Sequence, residues 1–131
     1  MPRPVHFEIH AEDPERAIRF YTQVFDWSFT HYEGMEPAYW GIVTGPDSEP
    51  GLNGGLMRRN GPAPVDGAAV NCYVCTIQVE NIDLYSARIK AANGQQTVEK
   101  MPIPQTGWLA YFKDTEGNIF GCMEFDQTAG E

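Results

Sequence analysis

Three side chains near the N-terminus have the types and the spacing for acid–base or metal chemistry. His6, Glu8 and His10 alternate with apolar residues, so on an extended strand they point to one side, about 6.6 Å apart per step of two residues. Imidazole titrates near neutral pH, and a neighbouring carboxylate makes it a stronger base. Two histidines and a carboxylate are also a metal-binding combination. Three interpretations stay open: polar lining of a ligand pocket, acid or base chemistry, and metal ligation.

A strand and a helix must position these side chains. The alternate positions carry Val5, Phe7 and Ile9, which predicts a half-buried strand over residues 5–11. The run Asp13-Pro14-Glu15-Arg16 then supplies a helix N-cap, a proline at the first helical position and an acidic first turn. We therefore expect a helix over residues 14–25, packed on the apolar side of the strand.

The chain repeats this pattern in its second half. Val5–Asp13 aligns with Tyr73–Asn81, and Gly51–Met57 aligns with Gly117–Met123. The repeat predicts a single domain over residues 1–131, built from two βαβββ modules, in which module one covers 4–59, a linker covers 60–69 and module two covers 70–126. The further elements predicted from periodicity and turn residues are strands at 27–33, 38–44 and 53–59, a strand at 71–79, a helix at 82–92, and strands at 96–100, 107–113 and 118–125.

Composition and charge exclude several classes of partner. A chain of 131 residues with 42% hydrophobic residues is long enough to bury one core. Its formal net charge of -9 argues against nucleic acid and anionic membrane surfaces, which clustered Lys and Arg bind. The sequence has no long apolar run and begins directly with a strand pattern, so we expect no membrane span and a cytoplasmic location.

The three cysteines do not predict a metal or redox site. Cys72 and Cys75 have C-x-x-C spacing, but on a strand residues three apart point to opposite faces. The sequence has no second Cys or His pair nearby. We expect the cysteines to be buried apolar residues in a reducing compartment.

Several motifs occur in an order that resembles the vicinal oxygen chelate superfamily, from Val5 to about Phe125. This superfamily includes glyoxalase I, extradiol dioxygenases, fosfomycin and bleomycin resistance proteins, and methylmalonyl-CoA epimerase. The motifs that carry the resemblance are His6-Phe7-Glu8-Ile9, Asp13-Pro14-Glu15-Arg16-Ala17, Phe20-Tyr21, Phe25-Asp26-Trp27 and Asp114-Thr115-Glu116-Gly117-Asn118.

The resemblance implies an α+β fold in which two βαβββ modules form a cup-shaped open barrel, usually in a homodimer. In metal-using members, the first and last strands of each module each supply one ligand to a divalent ion. Here His6 matches the first of these positions, but the other three fall on Val74, Gly55 and Gly121, which carry no ligating side chain. We therefore expect no family metal site and no cofactor, although a divalent metal is possible if Glu8, His10 or Glu124 contributes.

The resemblance also places a pocket in the cup. Asn53 and Met57, and likewise Ile119 and Met123, flank the two glycines, which predicts an apolar and deformable pocket floor. Tyr39 and Trp108 are assigned to matching positions at the rim, which suits a flat or cationic organic molecule. The candidate ligand-binding residues are His6, Glu8, His10, Tyr39, Asn53, Met57, Trp108 and Met123, and the candidate catalytic residues are His6 and Glu8.

Three functions remain open. The first is a homodimer that binds a small organic molecule without the family metal, as in bleomycin-resistance-like sequestration. The second is a metal-dependent lyase, isomerase or dioxygenase that uses His6. The third is a non-catalytic dimeric interaction protein.

Overall fold

The computed structural model describes residues 2–131, which form two compact units. The first unit ends at Ala63 and the second begins at Pro64. This boundary lies inside the predicted linker at 60–69. Each unit has its own four-stranded sheet and one long helix, and the two are described separately.

The first unit has the element order βαβββ. Its elements are β1 (Phe7–Ala11), α1 (Pro14–Phe25), β2 (Ser28–Tyr32), β3 (Tyr39–Val43) and β4 (Gly54–Arg58). The strand order in the sheet is β1-β4-β3-β2, with β1 and β4 parallel and the other pairs antiparallel. The last strand of the unit therefore lies beside the first.

Capping residues set both ends of helix α1. The Asp13 side chain accepts a hydrogen bond from the backbone N–H of Arg16, and Pro14 occupies the first turn. The helix ends at Asp26, whose φ of 60° is left-handed. Its buried face packs against one side of the sheet, in a core whose fully buried members are Ala11, Ala17, Ile42 and Leu56.

The second unit repeats the same element order. Its elements are β5 (Thr76–Gln78), α2 (Ile82–Ala91), β6 (Gln95–Ile103), β7 (Gly107–Lys113) and β8 (Ile119–Phe125), with strand order β5-β8-β7-β6. Again the first and last strands pair in parallel. Its buried residues include Ile82 and Ile89 of α2, Ala110 and Phe112 of β7, and Phe120 and Cys122 of β8.

A tight turn joins β7 to β8. The carboxylate of Asp114 accepts hydrogen bonds of 2.8 Å from the backbone N–H groups of Glu116 and Asn118. Gly117 has a φ of 81°, which glycine adopts without steric cost. The acidic motif Asp114-Thr115-Glu116-Gly117-Asn118 thus forms a hairpin turn that the Asp114 carboxylate stabilises.

The predicted α+β class and the two βαβββ modules are confirmed. Helix α1 and strand β7 have the predicted bounds, whereas β1 starts at Phe7 rather than at residue 5. The ladder with β4 begins at the pair Phe7–Gly54, so Val5 stays 77% exposed and does not pack on α1. Neither α1 nor α2 is long and apolar enough to cross a bilayer, and the same holds for every helix in the described part of the chain.

The prediction of buried cysteines is right for Cys122 and wrong for Cys72 and Cys75. Strand β5 covers only Thr76–Gln78 instead of the predicted 71–79. Cys72 and Cys75 therefore precede the paired residues and are exposed, whereas Cys122 lies inside β8 and is fully buried. Burial raises the pKa of the Cys122 thiol to about 12.

Candidate functional site

The first sheet has one face packed on α1 and an opposite face with polar and aromatic side chains. We call this opposite face the tyrosine face; it carries His6, Glu8, His10, Tyr32, Tyr39, Gly41, Gly55 and Met57. The strand register sets His10, Met57, Tyr39 and Tyr32 in one row, and Glu8, Gly55, Gly41 and Thr30 in the next. Residues that are paired across strands point to the same side of a sheet. Five of the eight candidate ligand-binding residues therefore share this face.

Two glycines give the tyrosine face a floor without side chains. Gly41 and Gly55 are direct partners on β3 and β4. A Cβ on Gly55 would overlap the phenol of Tyr39, and a Cβ on Gly41 would lie 2.8 Å from the hydroxyl of Tyr32. The ring of each tyrosine thus lies over a glycine that is two residues along the strand from the cross-strand partner of that tyrosine. The glycines are needed because the two rings occupy the space that side chains would fill.

The two tyrosines also contact each other and the first histidine. Their ring centroids are 5.8 Å apart and their planes differ by 11°. The Tyr39 hydroxyl lies 3.3 Å from Nε2 of His6. Tyr39 thus contacts His6, which lies far from it in sequence. The same contact fixes the hydroxyl end of the Tyr39 ring that lies over Gly55.

Glu8 and His10 form the second polar contact of this face. Nε2 of His10 lies 2.8 Å from Oε1 of Glu8, and both side chains are about half exposed. The backbone carbonyl of His10 also accepts a hydrogen bond from the Arg59 guanidinium. His6, Glu8 and His10 therefore lie on the same face, as predicted, but the close contacts join Glu8 with His10 and His6 with Tyr39.

The residues at the four family ligand positions do not fit a divalent ion. His6 carries an imidazole, but the side-chain position at Gly55 is filled by the Tyr39 phenol. In the second unit, Val74 has no donor atom, and a Cβ on Gly121 would meet Thr76, Tyr111 and Leu109 at 3.2–3.4 Å. No group of three His, Cys, Asp or Glu side chains among residues 2–131 is arranged to hold a metal. One imidazole is too small a donor set for tight binding.

The predicted equivalence of Tyr39 and Trp108 is wrong. Tyr39 pairs with Met57, but the residue that pairs with the equivalent Met123 is Leu109. Trp108 pairs with Glu124 and so points to the other face of the second sheet. There its indole N–H donates to Asp126 at 3.1 Å, and the Lys100 ammonium lies 5.1 Å from the ring centroid. Trp108 is thus held by structural contacts.

Three other predicted residues also have defined positions. Met123 lies on the face of the second sheet that carries Leu109 and Gly121. Asn53 lies just before β4, where its side-chain oxygen accepts from the backbone N–H of Thr44 at 3.0 Å. Glu124 accepts a hydrogen bond of 2.8 Å from the backbone N–H of Ile82, so its carboxylate stabilises the start of α2.

Sequence reasoning missed two members of the tyrosine face. Neither Tyr32 nor Gly41 is among the candidate residues from the sequence. A signal for both exists, because the alternation Tyr39-Trp40-Gly41 places Tyr39 and Gly41 on one side. A glycine inside a strand also indicates close approach by another group. The partner of that glycine, Tyr32, could be found only from the strand register.

Comparisons with known proteins agree with this architecture. The family model described as the Glyoxalase/Bleomycin resistance protein/Dioxygenase superfamily matches residues 3–121. Two curated relatives, each named "Putative glyoxylase CFP32", come from Mycobacterium tuberculosis and Mycobacterium bovis. Each is 26% identical over 117 residues, which are 89% of this chain and 42% of the relative. The chain thus spans less than half the length of the curated relatives it matches.

Two solved structures illustrate the similarity of fold. A glyoxylase/bleomycin resistance protein/dioxygenase domain from Frankia sp. EAN1pec has a TM-score of 0.72 and 20% identity, covering 96% of this chain and 99% of that one. A mutant of the fosfomycin resistance protein FosX from Listeria monocytogenes, crystallised with Mn(II), has a TM-score of 0.69 and 20% identity, covering 96% and 92%. With the family model matching most of its length, this chain belongs to the glyoxalase/bleomycin resistance protein/dioxygenase superfamily.

Proposed function

We propose that the tyrosine face binds a small organic molecule directly through its side chains, without a family-type metal ion. The observation that carries this proposal is the position of Tyr39. Its phenol occupies the side-chain space of Gly55, where a family ligand is expected, and its hydroxyl contacts the one matching ligand, His6. A metal at this position would have to displace an aromatic ring and would still gain only one imidazole.

The surroundings of Tyr39 suit an organic ligand. Met57 and the two tyrosines offer apolar surface, and His6, Glu8 and His10 offer hydrogen-bonding groups around it. Binding sites for small molecules combine apolar and aromatic lining with a few placed polar groups. The mixture on this face is of that kind.

A thermal-shift series with Zn, Ni, Mn and Fe(II) against a chelator tests the metal part of the proposal. A ligand at about 100 times its Kd stabilises the folded state by about 2.7 kcal/mol, which raises the melting temperature by several degrees. We expect no shift that depends on His6. A rise that His6→Ala abolishes would overturn the proposal and support a metal-dependent lyase, isomerase or dioxygenase.

Fragment screening by heteronuclear NMR on assigned protein tests the ligand part. We expect hits whose shift changes lie on β1, β3 and β4, and we expect Tyr39→Ala to abolish them. Tyr73→Ala is the matched control, because Tyr73 is fully exposed and precedes β5. An intact face that binds no compound would contradict the proposal and favour a non-catalytic interaction protein.

Acid–base chemistry on the bound molecule is a second candidate function. The 2.8 Å contact between His10 and Glu8 is the observation that favours it, because a carboxylate that holds an imidazole in place orients it for proton transfer. His10 would then take a proton from a ligand held on the tyrosine face. Hydrogen–deuterium exchange of a bound carbon acid, lost in His10→Gln with binding retained, is the expected result.

Assembly as a homodimer is also part of the proposal. Val65 and Val70, which lie before β5, expose large apolar side chains. Exposed apolar surface is frequent in protein interfaces. Light scattering after size exclusion should give twice the chain mass of 14.7 kDa. A monomer at all concentrations would refute this point without affecting ligand binding.

A cytoplasmic location is proposed because all three cysteines are free thiols. Thiols persist in reducing compartments. Cell fractionation tests this location, and recovery outside the cytoplasm would refute it.

A further inference from the structure

We infer that the ligand of the tyrosine face is a planar aromatic cation, bound by stacking on Tyr32. This inference names the ligand class for the proposed small-molecule site and therefore rests on it. It assigns a specificity role to Tyr32, which was not among the candidate site residues.

The two tyrosines form a preorganised stacking surface. Their ring planes differ by only 11°, with centroids 5.8 Å apart. Each ring leans over a glycine, and Gly41 and Gly55 are paired in the sheet. Side chains at those two positions would push the rings away from the backbone. A surface that is already ordered loses little conformational entropy when a ligand binds.

The outer member of this pair is accessible. Tyr32 ends the edge strand β2 and is 49% exposed, whereas Tyr39 is more buried and is anchored on His6. A third ring can therefore stack on Tyr32 without displacing Tyr39. Offset or parallel aromatic contacts favour a planar π-system over a saturated ring of the same size.

Charge and ring electrostatics favour a cation. A cation stacked on Tyr32 would gain attraction from the negative face of the aromatic ring. The net charge of -9 adds a long-range attraction of the same sign.

Three probes separate the contributions of planarity and charge. Proflavine is a planar tricyclic cation, cyclohexylmethylammonium is a cation without a flat ring, and naphthalene-2-sulfonate is a flat anion. Isothermal titration should give measurable binding of proflavine and at least tenfold weaker binding of the other two. NMR shift changes should locate proflavine on β2 and β3.

Variants of Tyr32 test the role of its ring. We expect Tyr32→Leu to weaken proflavine binding about tenfold, because it removes the aromatic face. Tyr32→Phe should bind as the unmodified protein does, since the ring is retained. Tyr73→Leu is the matched control at a fully exposed tyrosine and should change nothing.

The outcomes separate this inference from the proposed function. If screened fragments bind the tyrosine face and need Tyr39, but proflavine does not bind or binds Tyr32→Leu equally well, the ligand class is wrong and the site stands. If proflavine binds with shift changes outside the tyrosine face, the inference is also wrong. If neither fragments nor proflavine bind the face, the proposed function fails as well.

Discussion

The phenol of Tyr39 lies in the space where Gly55 would carry a side chain, and its hydroxyl contacts His6 at 3.3 Å. This relationship joins three strand regions of the first unit, because the residues come from β3, from β4 and from the segment before β1. It gives a physical reason for a glycine at the position to which the family resemblance assigns a metal ligand. The Tyr39 ring fits in this position only because residue 55 has no side chain.

Gly55→Ala should destabilise the protein because the added methyl group overlaps the Tyr39 ring. Overpacking of this kind costs about 1–3 kcal/mol, which urea denaturation measures as a lower midpoint. In the Tyr39→Ala background the same change should cost much less, which gives a coupling energy of about 0.5–3 kcal/mol. Gly51→Ala is the control, since its Cβ would meet nothing within 4 Å. Equal effects at Gly55 and Gly51 would contradict this packing.

Glu124→Ala should lower stability through helix α2 and leave the metal response unchanged. The carboxylate accepts a hydrogen bond from the backbone N–H of Ile82, at the positive end of the helix dipole. Loss of such a cap costs about 1 kcal/mol in a urea titration. Glu99→Ala removes an exposed carboxylate from β6 and should have little effect. A loss of metal-dependent stabilisation in Glu124→Ala would instead identify this carboxylate as a ligand.

Asp126 should make stability depend on acid pH. Its carboxylate accepts from the side chain and the backbone of Thr128 and from the Trp108 indole, and these bonds lower its pKa below 3.8. A lowered folded-state pKa adds stability above the unfolded-state value, and this stability is lost as pH falls through the folded-state pKa.

The urea midpoints of the unmodified protein and of Asp126→Asn should therefore differ most near neutral pH. They should converge in acid below pH 3.8. Glu99→Gln serves as an exposed control. A difference between Asp126→Asn and the unmodified protein that does not change with pH would show that the carboxylate charge is unimportant here.

The cysteines should react with iodoacetamide in an order set by burial. Cys122 is buried with a pKa of about 12, so it holds almost no thiolate at neutral pH. Cys72 and Cys75 are exposed, and the pKa of Cys75 is raised by partial burial and by the neighbouring Cys72. Mass spectrometry should find two labels on native protein, with Cys72 modified before Cys75, and three labels after denaturation. Native labelling of Cys122 would contradict its position in the core.

The sequence by itself determined the elements whose signals are local. The Asp13 cap, the proline at the start of α1 and the alternation of β1 act over a few residues, so they can be read along the chain. The internal repeat determined the order βαβββ in each unit. The family resemblance assigns three of four metal-ligand positions to residues without a ligating side chain, and this needs only residue identity.

The tertiary structure alone decided which side chains meet. The pairing of β7 with β8 puts Leu109 beside Met123 and turns Trp108 to the other face, although alignment of the two halves matched Trp108 with Tyr39. The pairing of β2, β3 and β4 brings Tyr32 and Tyr39 over Gly41 and Gly55. A shift of one residue in register reverses the face of every side chain in a strand. Register depends on contacts between distant segments, which is why local sequence patterns did not predict it.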